Sequence, residues 1–299
     1  MDSRARKDLT GPELAKLQAR VDVLVSGLGV DTQPKVALRL LELCKSPSSQ
    51  LKDYASVVRT DAAITGRLLK LANSAHFAQV QPVTRVDRAL VLLGIERTKA
   101  ISLGFSLSRA AGADQQALSK KVWGESVLRA SMASAVARQC CPGLSAQAYV
   151  VGLLLDCAQP LMLKLLGNEY LDLYESCPTP TRRHEAECEA LEYTHTDVAS
   201  SLARRWRLPE LLAHPIVDHH LPASTERSHD PIGQLTRVAQ YVGAVQLGED
   251  HLPRSSVPLA IMASDVLGLG SVEVSRVMQN ARDEYRATIG MFEGVAEPM

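Results

Sequence analysis

The chain has 299 residues, and its 33 basic side chains balance 33 acidic ones, so the formal net charge is zero. This balance argues against a protein whose whole surface binds nucleic acid or an anionic membrane, because both need a positive field. The hydrophobic fraction of 46% is ordinary for a soluble protein, and the length suggests about two domains or one extended domain.

Cysteine spacing and apolar runs indicate the cellular compartment. The six cysteines include no C-x-x-C pair, which argues against a zinc finger and a disulfide framework. The longest apolar run, Val150 to Leu155, is far too short to span a bilayer. MDSRARKDLTGPEL at the start lacks the apolar core of a secretory signal. We therefore expect a cytoplasmic protein with free thiols and no membrane contact.

Helical periodicity dominates the first third of the chain, while strand signals are scarce. Asp61 is predicted to cap one helix, Thr84 and Asp87 to form a capping box on the next, and Gly94 to end it. Five short helices are predicted, four by the apolar stripes Val36/Leu40/Leu43/Cys44, Leu51/Tyr54/Ala55/Val58, Ile64/Leu68/Leu71/Ala72 and Val86/Ala89/Leu90/Leu93, and a fifth over residues 96–109.

A second set of helices is predicted beyond the boundary segment AGADQQ, residues 111–116. The first, over residues 120–140, is rich in small side chains that let a neighbouring helix approach closely, so we expect it to be central. An apolar helix containing Asp156 follows, and SCPTPTRR, residues 176–183, is predicted to be a loop. Further helices are predicted over residues 185–193, 196–206 and from Pro209 onward, with two or three more near the C-terminus.

Asp156 is conspicuous because it is the single acid in the apolar stretch GLLLDCAQPLMLKLL, residues 152–166. An ionised carboxylate in an apolar setting costs at least several kcal/mol unless something pairs with it. Downstream lie His195, His214 and the adjacent pair His219 and His220. An adjacent histidine pair, a histidine near a helix start and a buried acid are the ingredients of a metal site.

Several blocks of sequence resemble the HDOD family, the HD-related output domains of bacterial signalling. This family is a branch of the HD superfamily of helical metal-dependent phosphohydrolases. The blocks are RTDAAITGRLLKLANSAHF (59–77), VDRALVLLG (86–94), WGES (123–126), GLLLDCAQP (152–160), THTDVASSLARRWRLPE (194–210) and IVDHHLP (216–222). Their order matches the family, and the resemblance extends over about residues 30–222.

The resemblance implies an all-α, multi-helical fold in which an N-terminal helical lobe packs on a degenerate HD-like lobe. The implied organisation is a helical lead-in over residues 1–29, an HDOD-like domain over 30–222 and a helical extension over 223–299. Within the HDOD-like domain, residues 30–112 form the N-terminal lobe and residues 118–222 the HD-like lobe.

Compared with catalytic members of the superfamily, this chain lacks metal ligands. Glu125 stands where the first histidine is expected, and Leu155 replaces the histidine of the His-Asp doublet, leaving Asp156. A two-metal site needs enough anionic and imidazole ligands to hold two dications and ionise a water. The candidates that remain for a vestigial site are Glu125, Asp156, His195, His219 and His220. We expect no tightly bound metal and no cofactor, with Asp156 neutralised by hydrogen bonds or by histidine.

The segment around Asn73 is a second candidate site for interaction or structure. Asn73 and Ser74 end the predicted third helix, and His76 follows at a helix-to-loop corner. A ligand role is possible for Asn73, but an asparagine at a helix end more commonly satisfies stray backbone carbonyls with its amide. The role of His76 stays open.

The resemblance and the reduced ligand set together predict a non-catalytic signal-transduction protein that contacts other signalling or regulatory proteins. Nucleic acid is an improbable partner given the charge balance. Two alternatives remain. One is a residual metal-dependent phosphohydrolase or phosphodiesterase that uses the vestigial ligands, and the other is a module that senses a nucleotide in the same pocket.

Overall fold

A computed structural model describes residues 10–27, 39–40, 43, 48–73, 81–95, 98, 102, 116–177, 179–222, 228–247 and 261–289. The predicted all-α class is confirmed, since these residues form helices and turns but no β-strand. The helices are α1 (Gly11–Gly27), α2 (Leu51–Val58), α3 (Ala62–Ala72), α4 (Val86–Leu93), α5 (Gln116–Cys140), α6 (Ser145–Leu154), α7 (Gln159–Leu166), α8 (Asn168–Ser176), α9 (Pro180–Leu191), α10 (His195–Arg205), α11 (Glu210–Asp218), α12 (Pro231–Ala244) and α13 (Ser271–Ile289).

Helices α2, α3 and α4 share one hydrophobic cluster, and the apolar stripes predicted for them are confirmed where their side chains are described. The buried members of this cluster are Leu40, Tyr54, Ala55, Val58, Ile64, Leu68, Ala72, Val83, Val86, Ala89, Leu90 and Leu93. We call this the N-terminal cluster. The predicted helices around residues 34–44 and 96–109 fall mostly outside the described residues.

The start of α4 differs from the prediction, whereas its end does not. Arg85 is the N-cap residue, so Asp87 is the second helical residue rather than the third, and a capping box needs its acid at the third. Asp87 instead pairs with Arg59 at 2.5 Å and with Arg85 at 3.2 Å. Gly94 ends the helix with a φ of 79°, a left-handed value that glycine adopts without strain.

A second and larger hydrophobic cluster is built around the long helix α5, whose predicted central position is confirmed. Ala130, Ala133 and Ala137 of α5 are fully buried. Helix α6 crosses α5 at Gly152, where a Cβ atom would lie 2.5 Å from the backbone oxygen of Arg129. Residues from α1 and α13 join the same cluster. We call it the central cluster.

The predicted apolar helix around Asp156 is interrupted, and this prediction was wrong. Helix α6 ends at Leu154, residues 155–158 form a turn, and α7 begins at Gln159. Pro160 lies in the first turn of α7, where a backbone N–H would have no partner within the helix. In the interior of a longer helix, the same proline would remove a backbone hydrogen bond. Asp156 therefore projects from a turn between two helices.

Helix α9 begins five residues earlier than predicted, within the segment that was expected to be a loop. Thr179 caps it by accepting a hydrogen bond from the backbone N–H of Arg182 at 3.2 Å, and Pro180 occupies the first helical position. Both residues are favourable at a helix start. The early start places Arg183 and His184 on a buried helical face.

Helix α1 is held on α10 by an apolar strip and a polar contact at one end. Val21 and Val25 are buried in the central cluster. Asp22 accepts hydrogen bonds from the hydroxyl of Ser201 and from Arg204, the latter at 2.9 Å. The backbone oxygen of Asp22 accepts a further bond from Arg205 at 2.8 Å. The contact therefore ties α1 to the C-terminal half of α10.

One segment, Gln147–Leu166, is long and apolar enough by composition to cross a membrane, with a mean hydropathy of 1.5. However, most of it is buried inside the protein. The turn at Asp156 also divides the segment into two shorter helices.

Candidate functional site

Asp156 is paired with a buried arginine that lies on α5. Arg129 Nε is 2.9 Å from Asp156 Oδ2, and both side chains are almost fully buried. The other carboxylate oxygen, Oδ1, accepts a hydrogen bond of 2.8 Å from the side-chain amide of Gln159. The expected neutralisation of Asp156 is thus supplied chiefly by an arginine rather than by histidine.

The same guanidinium also binds the end of α12. Arg129 Nη1 donates to the backbone oxygen of Val242 at 2.5 Å, and lies 3.4 Å from those of Gly243 and Val245. The carboxyl end of a helix carries a partial negative charge, which favours a cation there. Arg129 therefore bridges a carboxylate and a ring of carbonyl oxygens, and both neutralise its buried charge.

This pairing keeps Asp156 ionised. Burial alone acts to raise the pKa of its carboxyl group, but the charge of Arg129 and smaller contributions from His195, His219 and Arg183 outweigh it. The pKa of Asp156 consequently lies below its ordinary value.

His195 is the first residue of α10, and a single glutamate positions both its backbone and its ring. Glu187 Oε2 accepts the backbone N–H of His195 at 2.8 Å and its ring Nδ1 at 2.7 Å. The hydroxyl of Tyr170 donates to Glu187 Oε1 at 2.7 Å. Because Nδ1 is engaged, ring atom Nε2 is the one that approaches Asp156, 3.6 Å from Oδ1. Burial lowers the pKa of His195, yet the charge of Glu187 raises it further, above its ordinary value.

His219 and His220 follow the end of α11 and lie against each other, with ring centroids 4.1 Å apart. His219 Nδ1 is 2.7 Å from the backbone oxygen of Ile216, so Nδ1 must carry the proton that it donates. Burial lowers the pKa of His219 to about 4 and that of His220 well below the ordinary value. Both rings are therefore neutral at physiological pH. His184 stacks on His220 with a centroid distance of 4.5 Å.

Four predicted site residues converge in space, and they fit a single metal ion. Ligand atoms of Asp156, His195, His219 and His220 all lie within 4.8 Å of one another. Among the residues that the structure describes, Nε2 of each of the three histidines has no hydrogen-bond partner. A histidine that ligates a metal usually donates its other ring N–H to a carboxylate or a carbonyl, as His195 and His219 do here.

A two-metal centre does not fit these residues. The cluster contains one carboxylate, and Arg129 and Gln159 already engage its two oxygens. The neighbouring Leu155 is fully buried in the central cluster, and its side chain offers no ligand atom. Two dications close together need bridging anionic ligands, which the cluster does not supply.

Glu125, the remaining candidate ligand, lies outside the group of four. Its Oε2 accepts a hydrogen bond of 3.3 Å from the hydroxyl of Tyr174. The guanidinium of Arg183 covers the ring of Tyr174, 3.6 Å from its centre. Glu125 is therefore part of a neighbouring buried network rather than of the imidazole cluster.

Asn73 has the structural role that is common for a helix-end asparagine. Its side-chain amide donates to the backbone oxygens of Leu69 and Val83, each at 2.8 Å, and its Oδ1 accepts the backbone N–H of Val83 at 2.6 Å. It ties the end of α3 to the segment before α4. Ser74 and His76 lie outside the described residues.

The arrangement of the helices is that of an all-α, HD-like fold. The chain belongs to the HDOD domain family, which matches residues 30–222. A protein of uncharacterised function from Treponema pallidum (strain Nichols) is 20% identical over 269 residues, which are 88% of this chain and 52% of that protein. The chain thus spans about half the length of this curated relative.

Solved structures of bacterial proteins share the fold. A candidate signal-transduction protein from Marinobacter aquaeolei VT8 matches with a TM-score of 0.70 at 21% identity, covering 87% of this chain and 59% of that one. An HDOD domain protein of unknown function from Geobacter sulfurreducens has a TM-score of 0.67 at 18% identity, covering 92% and 99%. A candidate phosphohydrolase from Shewanella amazonensis SB2B has a TM-score of 0.59 at 19% identity, covering 88% and 97%. Identities this low show the fold alone.

Proposed function

We propose that the protein is a non-catalytic signalling or regulatory domain that acts through contacts with other proteins. The observation that carries the proposal is the buried pair of Arg129 and Asp156. A catalytic HD centre uses its carboxylate to hold metal ions. Here the same carboxylate is held by a cation that belongs to the protein itself.

The ion pair between Arg129 and Asp156 opposes metal-dependent hydrolysis at this site, because a metal ion would need the same carboxylate. A metal ion bound to Asp156 would have to share the carboxylate with the guanidinium of Arg129 or displace it. Displacement would leave the buried charge of Arg129 with only carbonyl oxygens as partners, and an unpaired buried charge is strongly destabilising. Signalling is also what the name of the Marinobacter aquaeolei protein states for that protein.

Elemental analysis and hydrolysis assays test the non-catalytic part of the proposal. Protein purified without a histidine tag and without added metal is expected to contain well under one iron, manganese or zinc per chain. It should not hydrolyse bis-p-nitrophenyl phosphate, nucleotides or cyclic dinucleotides in the presence of any of these ions. Turnover that disappears in Asp156→Asn would overturn the proposal.

Chemical crosslinking in the native cell, followed by mass spectrometry, tests the protein-contact part. The expected result is one dominant partner whose crosslinks map to a continuous surface of this chain. A protein that remains uncrosslinked while it performs its cellular role would contradict this part of the proposal.

A residual single-metal phosphohydrolase is the second candidate function, because a specific observation favours it. Three imidazoles and a carboxylate bring ligand atoms within 4.8 Å of one another, and each imidazole has a buried Nε2 without a hydrogen-bond partner in the described part of the chain, which is rare for buried polar atoms. Near-stoichiometric metal in the purified wild-type protein, together with hydrolysis that needs His195 and His219, would establish this function instead.

A further inference from the structure

We infer that Arg129 takes the charge position of a metal ion, and that removing its guanidinium turns the cluster of Asp156, His195, His219 and His220 into a single-ion site for zinc(II) or cobalt(II). The inference rests on the proposed function, because it assumes that the wild-type centre is balanced by its own arginine. It adds that one buried cation, the guanidinium of Arg129, can be exchanged for another, a zinc(II) or cobalt(II) ion.

The contacts of Arg129 resemble those of a bound cation more than those of an ordinary surface arginine. One carboxylate oxygen lies 2.9 Å from Nε, and the carbonyl oxygen of Val242 lies 2.5 Å from Nη1. The side chain is about 1% exposed, so water contributes almost nothing to its solvation. Its charge is therefore balanced largely by protein oxygens, as the charge of a buried metal ion is.

The imidazoles are already arranged for an ion at this place. Nδ1 of His195 is held by Glu187 and Nδ1 of His219 by Ile216, which directs the Nε2 atoms of both rings away from these partners. With a ring nitrogen of His220 and an oxygen of Asp156 they complete a set of three nitrogens and one oxygen, one atom from each residue, within 4.8 Å of one another. Such a set suits the tetrahedral coordination that zinc and cobalt adopt in proteins.

Arg129 is the strongest of the positive charges that oppose an ion at this place. A dication on Asp156 and the guanidinium would share one carboxylate in a buried setting, where the repulsion between like charges is poorly screened. Arg183 offers a matched comparison, because it is also a buried arginine close to the cluster. It covers the ring of Tyr174 and forms no ion pair with Asp156 among the described contacts.

Cobalt(II) titration of untagged protein tests the inference, with the visible absorption of tetrahedral cobalt and the bound metal per chain as readouts. Arg129→Met is expected to bind one cobalt(II) per chain roughly 100-fold more tightly than the wild type, because one like charge is removed from a buried site. Arg183→Met should gain much less than Arg129→Met does, because the charge of Arg183 acts on Asp156 more weakly than that of Arg129. Adding Asp156→Asn to Arg129→Met should abolish the gain.

A second variant covers the case in which Arg129→Met folds poorly. Arg129→Gln keeps a donor for the oxygen of Val242 while removing the charge, and either variant should regain its helical circular dichroism when cobalt(II) is added. Variants that stay unfolded with cobalt(II), or that fold and bind it no better than the wild type does, would overturn the inference. Metal-dependent hydrolysis by the wild type would instead overturn the proposed function, so the two failures are distinguishable.

Discussion

The two hydrophobic clusters differ in the buried polar and charged groups that accompany them. Among the described residues from 39 to 102, the buried polar residues are Thr98 and Ser102, whose hydroxyls each donate to the backbone oxygen four residues earlier. The central cluster surrounds a set of buried ionisable groups, namely Glu125, Arg129, Asp156, Arg183, His184, Glu187, His195 and His219. Charged groups are almost never fully buried without a partner.

The two regions are therefore stabilised in different ways. The N-terminal cluster is stabilised by apolar burial, which has no direction and tolerates exchange of similar side chains. The buried charges around Asp156 need fixed partners, since removal of one partner strands the other. Substitutions in the two regions should therefore differ in kind as well as in size.

The largest effect is expected for Arg129→Ala. Loss of the guanidinium leaves Asp156 charged and buried, and breaking a buried pair typically costs about 3–5 kcal/mol of unfolding free energy. Urea unfolding measures this cost. Arg182→Ala is the control, because its pairs with Glu185 and Glu189 are exposed to water and should contribute little to stability.

A paired substitution extends this test of the buried charges. Replacing both partners together, as Arg129→Met with Asp156→Leu, should recover most of the loss. If the double variant is as unstable as the single one, the cost comes from packing rather than from charge.

Leu90→Ala tests the N-terminal cluster. Leu90 is fully buried, and truncation of a buried leucine costs about 2–5 kcal/mol through lost apolar burial and the cavity left behind. Its neighbour Val91 is 67% exposed, so Val91→Ala should be nearly neutral. The imidazole NMR signals of His195 and His219 are expected to stay unchanged in Leu90→Ala. A shift in those signals would show that the two regions are coupled.

Gly152→Ala tests the crossing that brings α5 beside the Asp156 turn. The added Cβ would lie 2.5 Å from the backbone oxygen of Arg129 and 2.8 Å from Cα of Ala130. Backbone atoms cannot move aside cheaply, so we expect a loss of about 1–3 kcal/mol in urea unfolding. Gly143→Ala is the control, because its Cβ would meet no heavy atom within 4 Å. Equal stabilities for the two variants would mean that the helices separate without cost.

The smallest effect is expected for Asp22→Asn at the contact between α1 and α10. Burial acts to raise the pKa of Asp22, but hydrogen bonds from Ser201 and Arg204 outweigh it and lower the pKa below 3.8. A lowered folded-state pKa contributes stability above the ordinary value and loses it as the pH falls through the folded value. The pair is partly exposed, so the contribution at pH 7 should be at most about 1 kcal/mol.

The pH dependence supplies the check on Asp22. The difference in unfolding free energy between wild type and Asp22→Asn should shrink as the pH is lowered below 3.8. Hydrogen exchange in α1 at neutral pH should be faster in the variant. A difference that grows on acidification would contradict the assigned contact.

Some of this arrangement could be predicted from the sequence because single residues contrast with their surroundings. Apolar periodicity indicated α2 to α4, and Asp156 was conspicuous in an apolar run. Arg129 stands out in a similar way, as a charge within the helix of small residues, but the pattern of that helix does not indicate its partner. The turn at Asp156 was missed because apolar residues continue through it, although Pro160 signals a new helix start.

The side chains of α9 that contact the histidine cluster could not have been predicted from a contrast with their neighbours in the sequence. Glu187 and His184 lie in the polar segment PTRRHEAECEAL, where buried and exposed positions have the same chemical character. Their burial depends on how α9 packs against other helices, which local pattern does not encode. The early start of α9 is set by Thr179 and Pro180, two residues that favour a helix start, although the polar, proline-bearing segment around them predicts a loop.

The double use of Glu187 has a practical consequence for genetic work on this family member. One carboxylate oxygen fixes both the first peptide group of α10 and the orientation of the His195 ring. A phenotype caused by replacing Glu187 therefore reports a frayed helix and a misdirected imidazole together. Tyr170→Phe removes a donor to the opposite oxygen while leaving both bonds to His195 in place, which makes it the gentler probe of what the ring contributes.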